Sequence, residues 1–248
     1  MKSLIKKIPI VRDWLRKLDN LNDRTDWVSE QLSLLPTGSI LLDAGCGNQQ
    51  FRKYTDHLVY KAQDFGQYTI DDKKMMGAES GGLGSGDGYS YGELDYSGNI
   101  WEIKEEDGVF DAILCTEVFE HIPYPIETLK EFSRLLRPGG KLILTAPSNC
   151  LRHMDPYFFY TGFSDRWYER FLDETGFAAN SIVPVGDYYR WMGVEIVRTA
   201  RSHSFVAKLC LIPAFLYFFT KKRTQISIDT LCMGYHILAT KNLPGSGK

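Results

Sequence analysis

The chain has 248 residues, a formal net charge of -2, 44% hydrophobic residues and 24% charged residues. These proportions are typical of a globular protein with a sizeable core, and the near-neutral charge gives no support for nucleic-acid binding. The odd number of cysteines and the lack of a C-x-x-C pair argue against a disulfide framework and a structural zinc site, and favour a reducing, cytoplasmic compartment. The five are Cys46, Cys115, Cys150, Cys210 and Cys232.

The first predicted element is a basic amphipathic helix over residues 1–24. Apolar residues alternate there with lysines and arginines between residues 2 and 18, which is typical of a helix with one apolar and one basic face. Pro9 interrupts the helical hydrogen bonding. The segment lacks a continuous apolar region and a small-residue cleavage site, so we do not expect a secretory signal.

Two strands and a loop follow. SILLDA, residues 39–44, has the length and apolar content of a buried strand, and residues 58–64 predict a second strand that ends at Asp64. The glycine- and serine-rich residues 78–93 predict a mobile loop, either a lid over a site or a solvated connection.

The middle of the chain continues as strand, helix and strand. VFDAILCT, residues 109–116, and GKLILTA, residues 140–146, are apolar runs of strand length. Between them PIETLKEFSRLL has an apolar face at helical spacing, and a stop signal follows at Pro138, Gly139 and Gly140. A further helix is predicted from an N-cap at Ser164 to Gly176.

The last predicted elements are strands over residues 181–186 and 230–240, with an apolar helical insertion over 200–223. Residues 205–220 are almost wholly apolar, but they are too few and include Lys208 and Pro213, so we do not expect a membrane span. Two interpretations stay open for both chain ends. They pack on the core or in a homodimer, or they lie peripherally at the inner face of a membrane.

Strands that alternate with helices predict an α/β fold, with a doubly wound and mostly parallel sheet covered by helices on both faces. We expect one domain over residues 1–248, with its core at about 25–185 and late strands to 240. In such sheets, ligands bind outside the carboxyl ends of the strands.

The turn after the first strand, DAGCGNQQ from Asp43 to Gln50, predicts a ligand site. It lacks the lysine and the serine or threonine of a phosphate-binding P-loop. A dinucleotide fingerprint needs a third glycine where Gln50 stands. The remaining option is a ligand with adenosine but no pyrophosphate. Asp64 at the end of the second strand suits ribose hydroxyls, although dinucleotide enzymes use the same arrangement.

In their order and spacing, four segments resemble a class I S-adenosylmethionine-dependent methyltransferase, of the type 11-like group that acts on small molecules and glycans. They are LLDAGCGN, the acidic strand end at Asp64, GVFDAILCTEVFEHI and LLRPGGKLILTAP. The resemblance covers roughly residues 25–185. It implies a Rossmann-like, seven-stranded sheet and S-adenosylmethionine as the cofactor.

The resemblance also implies roles for single residues. Gly45 and Gly47 would shape the turn around the methionine part of the cofactor, with Asp43 at its base. Asp64 would bind the ribose diol, and the other implied contacts are Asn99 and the Ile100 amide at the adenine, with Cys115 to Glu117 lining the pocket beneath the methionine. Gln49 replaces a common third glycine, which is compatible with the turn if its backbone keeps a negative φ.

Methyl transfer to a hydroxyl benefits from a general base. The candidates are His153 and His121, with Glu117 and Asp155 as nearby carboxylates; Tyr157 and Tyr160 could shape the acceptor pocket. Each has a structural alternative: a hydrogen bond that holds the loop for His121, and packing for the aromatic residues. The His, Cys and Asp residues show no metal-ligand spacing, so no metal site is predicted.

The acceptor stays open among sugars, lipid headgroups and small metabolites, with O-methylation of a small molecule or glycan favoured, in polysaccharide or secondary-metabolite biosynthesis. Two other classes remain. One is an NAD-dependent oxidoreductase or epimerase, disfavoured by the missing third glycine and by the lack of a Tyr-x-x-x-Lys pair. The other is a cofactor-binding partner subunit without transfer activity.

Overall fold

A computed structural model describes residues 20–67 and 91–245 of the chain, without the side chains of residues 201 and 202. The predicted amphipathic segment lies outside this range up to residue 19, as does most of the predicted loop over 78–93. Both therefore stay predictions.

The described residues form one sheet of seven strands in the order β3-β2-β1-β4-β5-β7-β6. Strands β1 to β5 run parallel to their neighbours, and β7 is antiparallel to both β5 and β6. The predicted mostly parallel α/β sheet is thus confirmed. The strands are β1 Ile40–Ala44, β2 Val59–Asp64, β3 Tyr96–Ser97, β4 Phe110–Thr116, β5 Leu136–Pro147, β6 Phe177–Val185 and β7 Gly234–Lys241.

Six α-helices flank or connect these strands in the described part of the chain. They are α1 Asn20–Ser33, α2 Pro125–Leu135, α3 Asp165–Glu174, α4 Tyr188–Ser202, α5 Phe205–Phe219 and α6 Gln225–Thr230. Short 3-10 turns at Arg52–Tyr54 and Phe119–His121 follow the ends of β1 and β4.

Alternate residues of the central strands contribute side chains to two apolar clusters, one on each face of the sheet. From β4, Ile113 and Cys115 join the cluster that contains Phe132 of α2, whereas Leu114 joins the cluster that contains Val28 of α1. Because helices cover both faces, the central strands are apolar on both sides, which explains their continuous apolar runs. Their polar ends remain at the carboxyl edge.

Several helix and strand boundaries differ from those predicted. Helix α2 ends at Leu135 and β5 starts at Leu136, before the predicted stop at Pro138. The helix ends early because the helical conformation is disfavoured for the residue before a proline, here Arg137 before Pro138. In addition, Leu136 already pairs with Phe110 of β4. The predicted N-cap at Ser164 is confirmed, since its side chain accepts a hydrogen bond from the Trp167 amide.

Near the end of the chain, the observed elements differ more from the predicted ones. Strand β6 begins at Phe177 rather than 181, because its first residues pair with the end of β7. Strand β7 begins at Gly234 rather than 230, because Gln225–Thr230 form helix α6, started by a capping box at Thr224 and Ser227. The predicted apolar insertion contains α5. None of the helices in the described residues is both long enough and apolar enough to cross a membrane.

Candidate active site

The glycine turn after β1 is fastened to the end of β2 by backbone hydrogen bonds. The Gly45 and Cys46 amides both donate to the Gln63 carbonyl, at 2.9 and 3.0 Å. Gly45 and Gly47 adopt φ of +73° and +52°, which glycine reaches without steric penalty. A side chain at Gly45 would also meet Val118, since its Cβ would lie 2.5 Å from the valine Cγ2.

Asp64 closes this junction. One carboxylate oxygen accepts from the Gly47 amide at 2.9 Å and the other from the Gly66 amide at 3.1 Å. The residue is 5% exposed, and burial raises the pKa of its carboxyl. Each carboxylate oxygen can accept a second hydrogen bond. Asp64 can therefore shape the turn and still accept from a diol.

Asp43 lies at the base of the turn, as expected. It is 2% exposed and accepts a 2.6 Å hydrogen bond from the Tyr60 hydroxyl. Burial raises the pKa of the Asp43 carboxyl to about 7, against the lowering effect of Tyr60. The Asp43 carboxyl therefore changes its protonation state near neutral pH. Tyr60 was not among the predicted site residues.

The expectation that Gln49 keeps a negative φ is wrong: its φ is +55°, in the left-handed region. Its side chain compensates by bridging two neighbours. Nε2 donates to the Glu93 carbonyl at 2.7 Å, and Oε1 accepts from Arg52 at 2.9 Å. These hydrogen bonds require a glutamine-length side chain, so this chain keeps the glycine-like backbone without the glycine.

Asn99 and Ile100 lie just after β3, beside β2 at the same edge of the sheet. Asn99 is exposed, and its amide donates to Glu102. Ile100 is 5% exposed, and its backbone amide has no acceptor among the described residues. An unpaired amide next to an exposed carboxamide suits the edge of a base, as the resemblance implies.

The end of β4 agrees only in part with the prediction. The Cys115 side chain is fully buried in the apolar core, so it does not line an open pocket. Glu117 has a φ of +53°; it forms an ion pair with Arg24 of α1 at 2.9 Å and accepts from the Thr145 hydroxyl at 3.1 Å. Arg24 was missed, because its position depends on the packing of α1 across the edge of the sheet.

The two predicted histidines lie together, with ring centroids 4.7 Å apart. His121 Nδ1 is 2.7 Å from the Tyr157 carbonyl, and His153 Nδ1 is 2.8 Å from the Leu151 carbonyl. Glu120, which was not predicted, completes the group: a carboxylate oxygen and one nitrogen of each ring lie within 4.8 Å of one another. We call these three residues the Glu120–His121–His153 cluster.

Burial shifts the pKa values of Glu120 and His121. Glu120 is 2% exposed, and desolvation raises the pKa of its carboxyl, with the nearby Glu117 adding to the effect. Desolvation, together with the adjacent His153, lowers the pKa of His121 to about 4, against the raising effect of the hydrogen bond to Tyr157. His121 is thus a neutral imidazole at pH 7. One oxygen of Glu120, Oε2, is buried and has no hydrogen-bond partner among the residues that the structure describes.

The cluster is connected to the cofactor half of the site. Phe65, next to Asp64, packs its ring edge-on against Tyr157 at 4.8 Å, and the carbonyl of Tyr157 holds His121. The other predicted acceptor residues have structural partners. Asp155 pairs with Arg152, and the Tyr160 hydroxyl donates to the Pro123 carbonyl at 3.1 Å. They support the segment that carries His153.

Comparison with known proteins decides the family. A family model described as a methyltransferase domain matches residues 14–181. The chain belongs to this methyltransferase domain family. The ubiquinone biosynthesis O-methyltransferase of Xanthomonas oryzae pv. oryzae is 32% identical over 126 residues, which cover 49% of this chain and 48% of that protein. The chain thus matches about half the length of such curated relatives.

Solved methyltransferases share the fold. Geranyl diphosphate methyltransferase in complex with S-adenosylmethionine superposes with a TM-score of 0.53 at 16% identity, over 89% of this chain and 85% of that one. Phosphoethanolamine N-methyltransferase 2 of Haemonchus contortus, also in complex with S-adenosylmethionine, gives 0.51 at 16% identity, over 89% and 53%. At these identities the likeness concerns the fold alone.

S-adenosylmethionine is therefore the cofactor that the family assigns to this methyltransferase domain, and the site fits it. Asp64 has acceptor capacity for the ribose, the unpaired Ile100 amide and the exposed Asn99 suit the adenine, and the turn after β1 keeps Gly45 and Gly47 at positive φ without side chains. Membership of the family removes the oxidoreductase alternative.

Proposed function

We propose that the chain transfers a methyl group from S-adenosylmethionine to a hydroxyl of a small molecule. The observation that carries the proposal is the Glu120–His121–His153 cluster, placed at the carboxyl edge of the sheet one aromatic contact away from Asp64. The match to curated O-methyltransferases supports an oxygen acceptor.

The protein's task in such a reaction is to position the reactants and to remove a proton. The bound cofactor supplies a methyl group on a sulfonium. Asp64, the Ile100 amide and the glycine turn would hold this cofactor, which would supply the methyl carbon for an in-line displacement by the acceptor oxygen, with the electron pair of the broken carbon–sulfur bond left on sulfur. We assign removal of the hydroxyl proton to His153, whose Nδ1 is already held by the Leu151 carbonyl. Its Nε2 is then the basic nitrogen.

The change His153→Ala tests this role. We expect kcat to fall by roughly 10²- to 10⁴-fold, because a positioned general base contributes a factor of that size. Affinity for S-adenosylmethionine, measured by calorimetry, should stay within twofold. His203→Ala is the matched control, since this exposed histidine just after α4 has the same kind of Nδ1-to-carbonyl contact, to Thr199. Full activity in His153→Ala would remove the base from the mechanism.

The acceptor is identified by release of S-adenosylhomocysteine in a screen of hydroxylated compounds. We favour a small aromatic or sugar hydroxyl, as used in secondary-metabolite or polysaccharide biosynthesis. We also propose a cytoplasmic enzyme that contacts the inner membrane face through α5, which would give it access to lipid-linked acceptors. A homodimer that covers the same helix is the competing arrangement.

A further inference from the structure

We propose that the Glu120–His121–His153 cluster is a divalent-cation site that takes a nitrogen-preferring ion of the zinc class. Two imidazoles and one carboxylate are a common ligand set for such ions. The proposal deepens the proposed function and rests on it for its catalytic consequence, but ion binding can be measured independently.

The two histidines are already oriented as ligands. Each has its Nδ1 within hydrogen-bond distance of a backbone carbonyl, Tyr157 for His121 and Leu151 for His153. A carbonyl accepts only from a protonated nitrogen, so each Nδ1 carries the hydrogen and each Nε2 keeps its lone pair. This is the arrangement by which metal-binding histidines are fixed in tautomer and ring orientation.

The carboxylate supplies the second observation. Glu120 is 2% exposed, its Oε2 has no hydrogen-bond partner in the described part of the chain, and its Oε1 lies 3.7 Å from His121 Nε2. A buried carboxylate oxygen without a partner is costly. One carboxylate oxygen of Glu120 and one nitrogen of each ring lie within 4.8 Å of one another. Ligands at about 2.0–2.2 Å from an ion lie roughly 3–4 Å apart, so the three side chains would close in around a bound ion.

Three protein ligands leave at least one coordination position open, which is the pattern of catalytic rather than structural sites. An acceptor hydroxyl that occupies this position becomes more acidic, and its proton passes to solvent. With the ion bound, His153 acts through it: its Nε2 lone pair holds the ion that acidifies the hydroxyl, and this role replaces the direct removal of the proton that the proposed function assigns to His153. Sequence spacing predicted no metal site, because His153 is brought to Glu120 and His121 only by the fold.

The test is a titration of the full chain, purified without a histidine tag, with Zn²⁺ in competition with a chromophoric chelator. We expect one ion per chain. His153→Ala and the isosteric Glu120→Gln should each weaken binding by at least about tenfold, as loss of a metal-site interaction does. His203→Ala should bind as the wild type does. Circular dichroism establishes whether each variant is folded. If Glu120→Gln does not fold, the zinc affinity of His153→Ala alone tests the site.

A chain without a bound ion, or a His153→Ala variant with wild-type zinc affinity, would overturn the site. A second measurement separates this failure from that of the proposed function. After removal of metal with a chelator, S-adenosylmethionine should still bind, while methyl transfer should fall at least tenfold and return with the added ion. Transfer that persists without metal rejects the ion and retains the histidine base. Ion binding without transfer to any acceptor rejects the proposed function alone.

Discussion

Asp64 combines two tasks, which makes it the most informative single residue for cofactor binding. Its oxygens hold the Gly47 and Gly66 amides, and the proposed ribose hydroxyls would share the same atoms. We expect Asp64→Ala to weaken both S-adenosylmethionine and S-adenosylhomocysteine by at least tenfold, since hydrogen bonds to a charged group contribute roughly 1.5–3 kcal/mol each. Calorimetry with both ligands measures this.

Asp56→Ala is the control for that experiment, because Asp56 is an exposed carboxylate on the turn before β2. It should bind both ligands normally. Unchanged affinity in Asp64→Ala would mean that the ribose is placed elsewhere.

Asp43 predicts a pH dependence of stability. Burial raises the pKa of its carboxyl from 3.8 to about 7. The native state therefore holds a proton that the unfolded state releases, so its contribution to stability is full below pH 4 and is lost as pH rises through about 7. Between pH 5 and pH 8 the wild type should lose roughly 2–3 kcal/mol from this group, at about 1.4 kcal/mol per pH unit up to the pKa.

Asp43→Asn isolates that contribution, because it keeps an acceptor for the Tyr60 hydroxyl and does not titrate. Urea unfolding of both proteins at pH 5 and pH 8 gives the difference. An equal pH response in the two proteins would show that Asp43 is charged in the native state throughout.

At this scale the sequence was informative wherever a residue acts through its place in a motif. Asp43, Gly45, Gly47 and Asp64 meet at one junction, as expected. The sequence did not predict the residues whose function depends on contacts between distant parts of the chain. Glu120 stands beside His121 in the printed sequence, yet only the return of the chain after β5 shows that it faces His153. Gln49 was misjudged because its supporting bonds come from Glu93 and Arg52.

Among the elements, α5 stands out because its apolar surface is left exposed. One face packs on α4 through Phe215 and Phe219, near Val194. The other presents apolar residues at spacings of three and four, which form a stripe along the helix, together with neighbours on either side. The exposed apolar residues are Phe205, Val206, Leu209, Ile212, Leu216 and Tyr217.

Cations border this stripe, at Lys208 within the helix and at Lys221 and Lys222 just after it. We expect the chain to float with anionic vesicles at low salt, less so at high salt and hardly at all with neutral vesicles. Basic residues near an anionic surface contribute about 1 kcal/mol each. The double change Ile212→Ser with Leu216→Ser should abolish flotation, whereas Ile226→Ser on α6 should not.

If the wild type stays at the bottom with both kinds of vesicle at low salt, the membrane interpretation is wrong. Analytical ultracentrifugation of the same proteins then tests the homodimer. The double variant would be monomeric where the wild type is dimeric.

Element boundaries could be predicted where a local signal decides them. The Ser164 cap and the strand ends at Ala44, Asp64 and Thr116 depend on neighbouring residues and fell within a residue or two. The start of β6 depends on pairing with β7, 55 or more positions away in the chain, and the local pattern does not contain it. Helix α6 was not predicted; a capping box at Thr224 and Ser227 starts it, and only its last residue, Thr230, lies in the predicted strand over 230–240.

For the whole molecule, the number of strands was implied by the family resemblance, whereas the strand order was not predicted. Alternating strands and helices predict a parallel sheet, but the antiparallel insertion of β7 between β5 and β6 carries no local signal. The order brings the ends of the parallel strands β1, β2, β3, β4 and β5 to one edge. That edge holds every residue of the proposed site, so the topology accounts for the site.

Because the site is assembled from so many separate segments, its ligand should stabilise the entire fold. At a concentration one hundred times its Kd, a ligand that binds only the native state adds about 2.7 kcal/mol. For a chain of 248 residues this should raise the Tm by roughly 5–10 °C. Thermal unfolding with S-adenosylmethionine or S-adenosylhomocysteine measures the shift. NAD at the same concentration should leave the Tm unchanged, and Asp64→Ala should show a smaller shift than the wild type. A shift with NAD that equals the shift with S-adenosylmethionine would contradict the assignment of the glycine turn to a ligand without pyrophosphate.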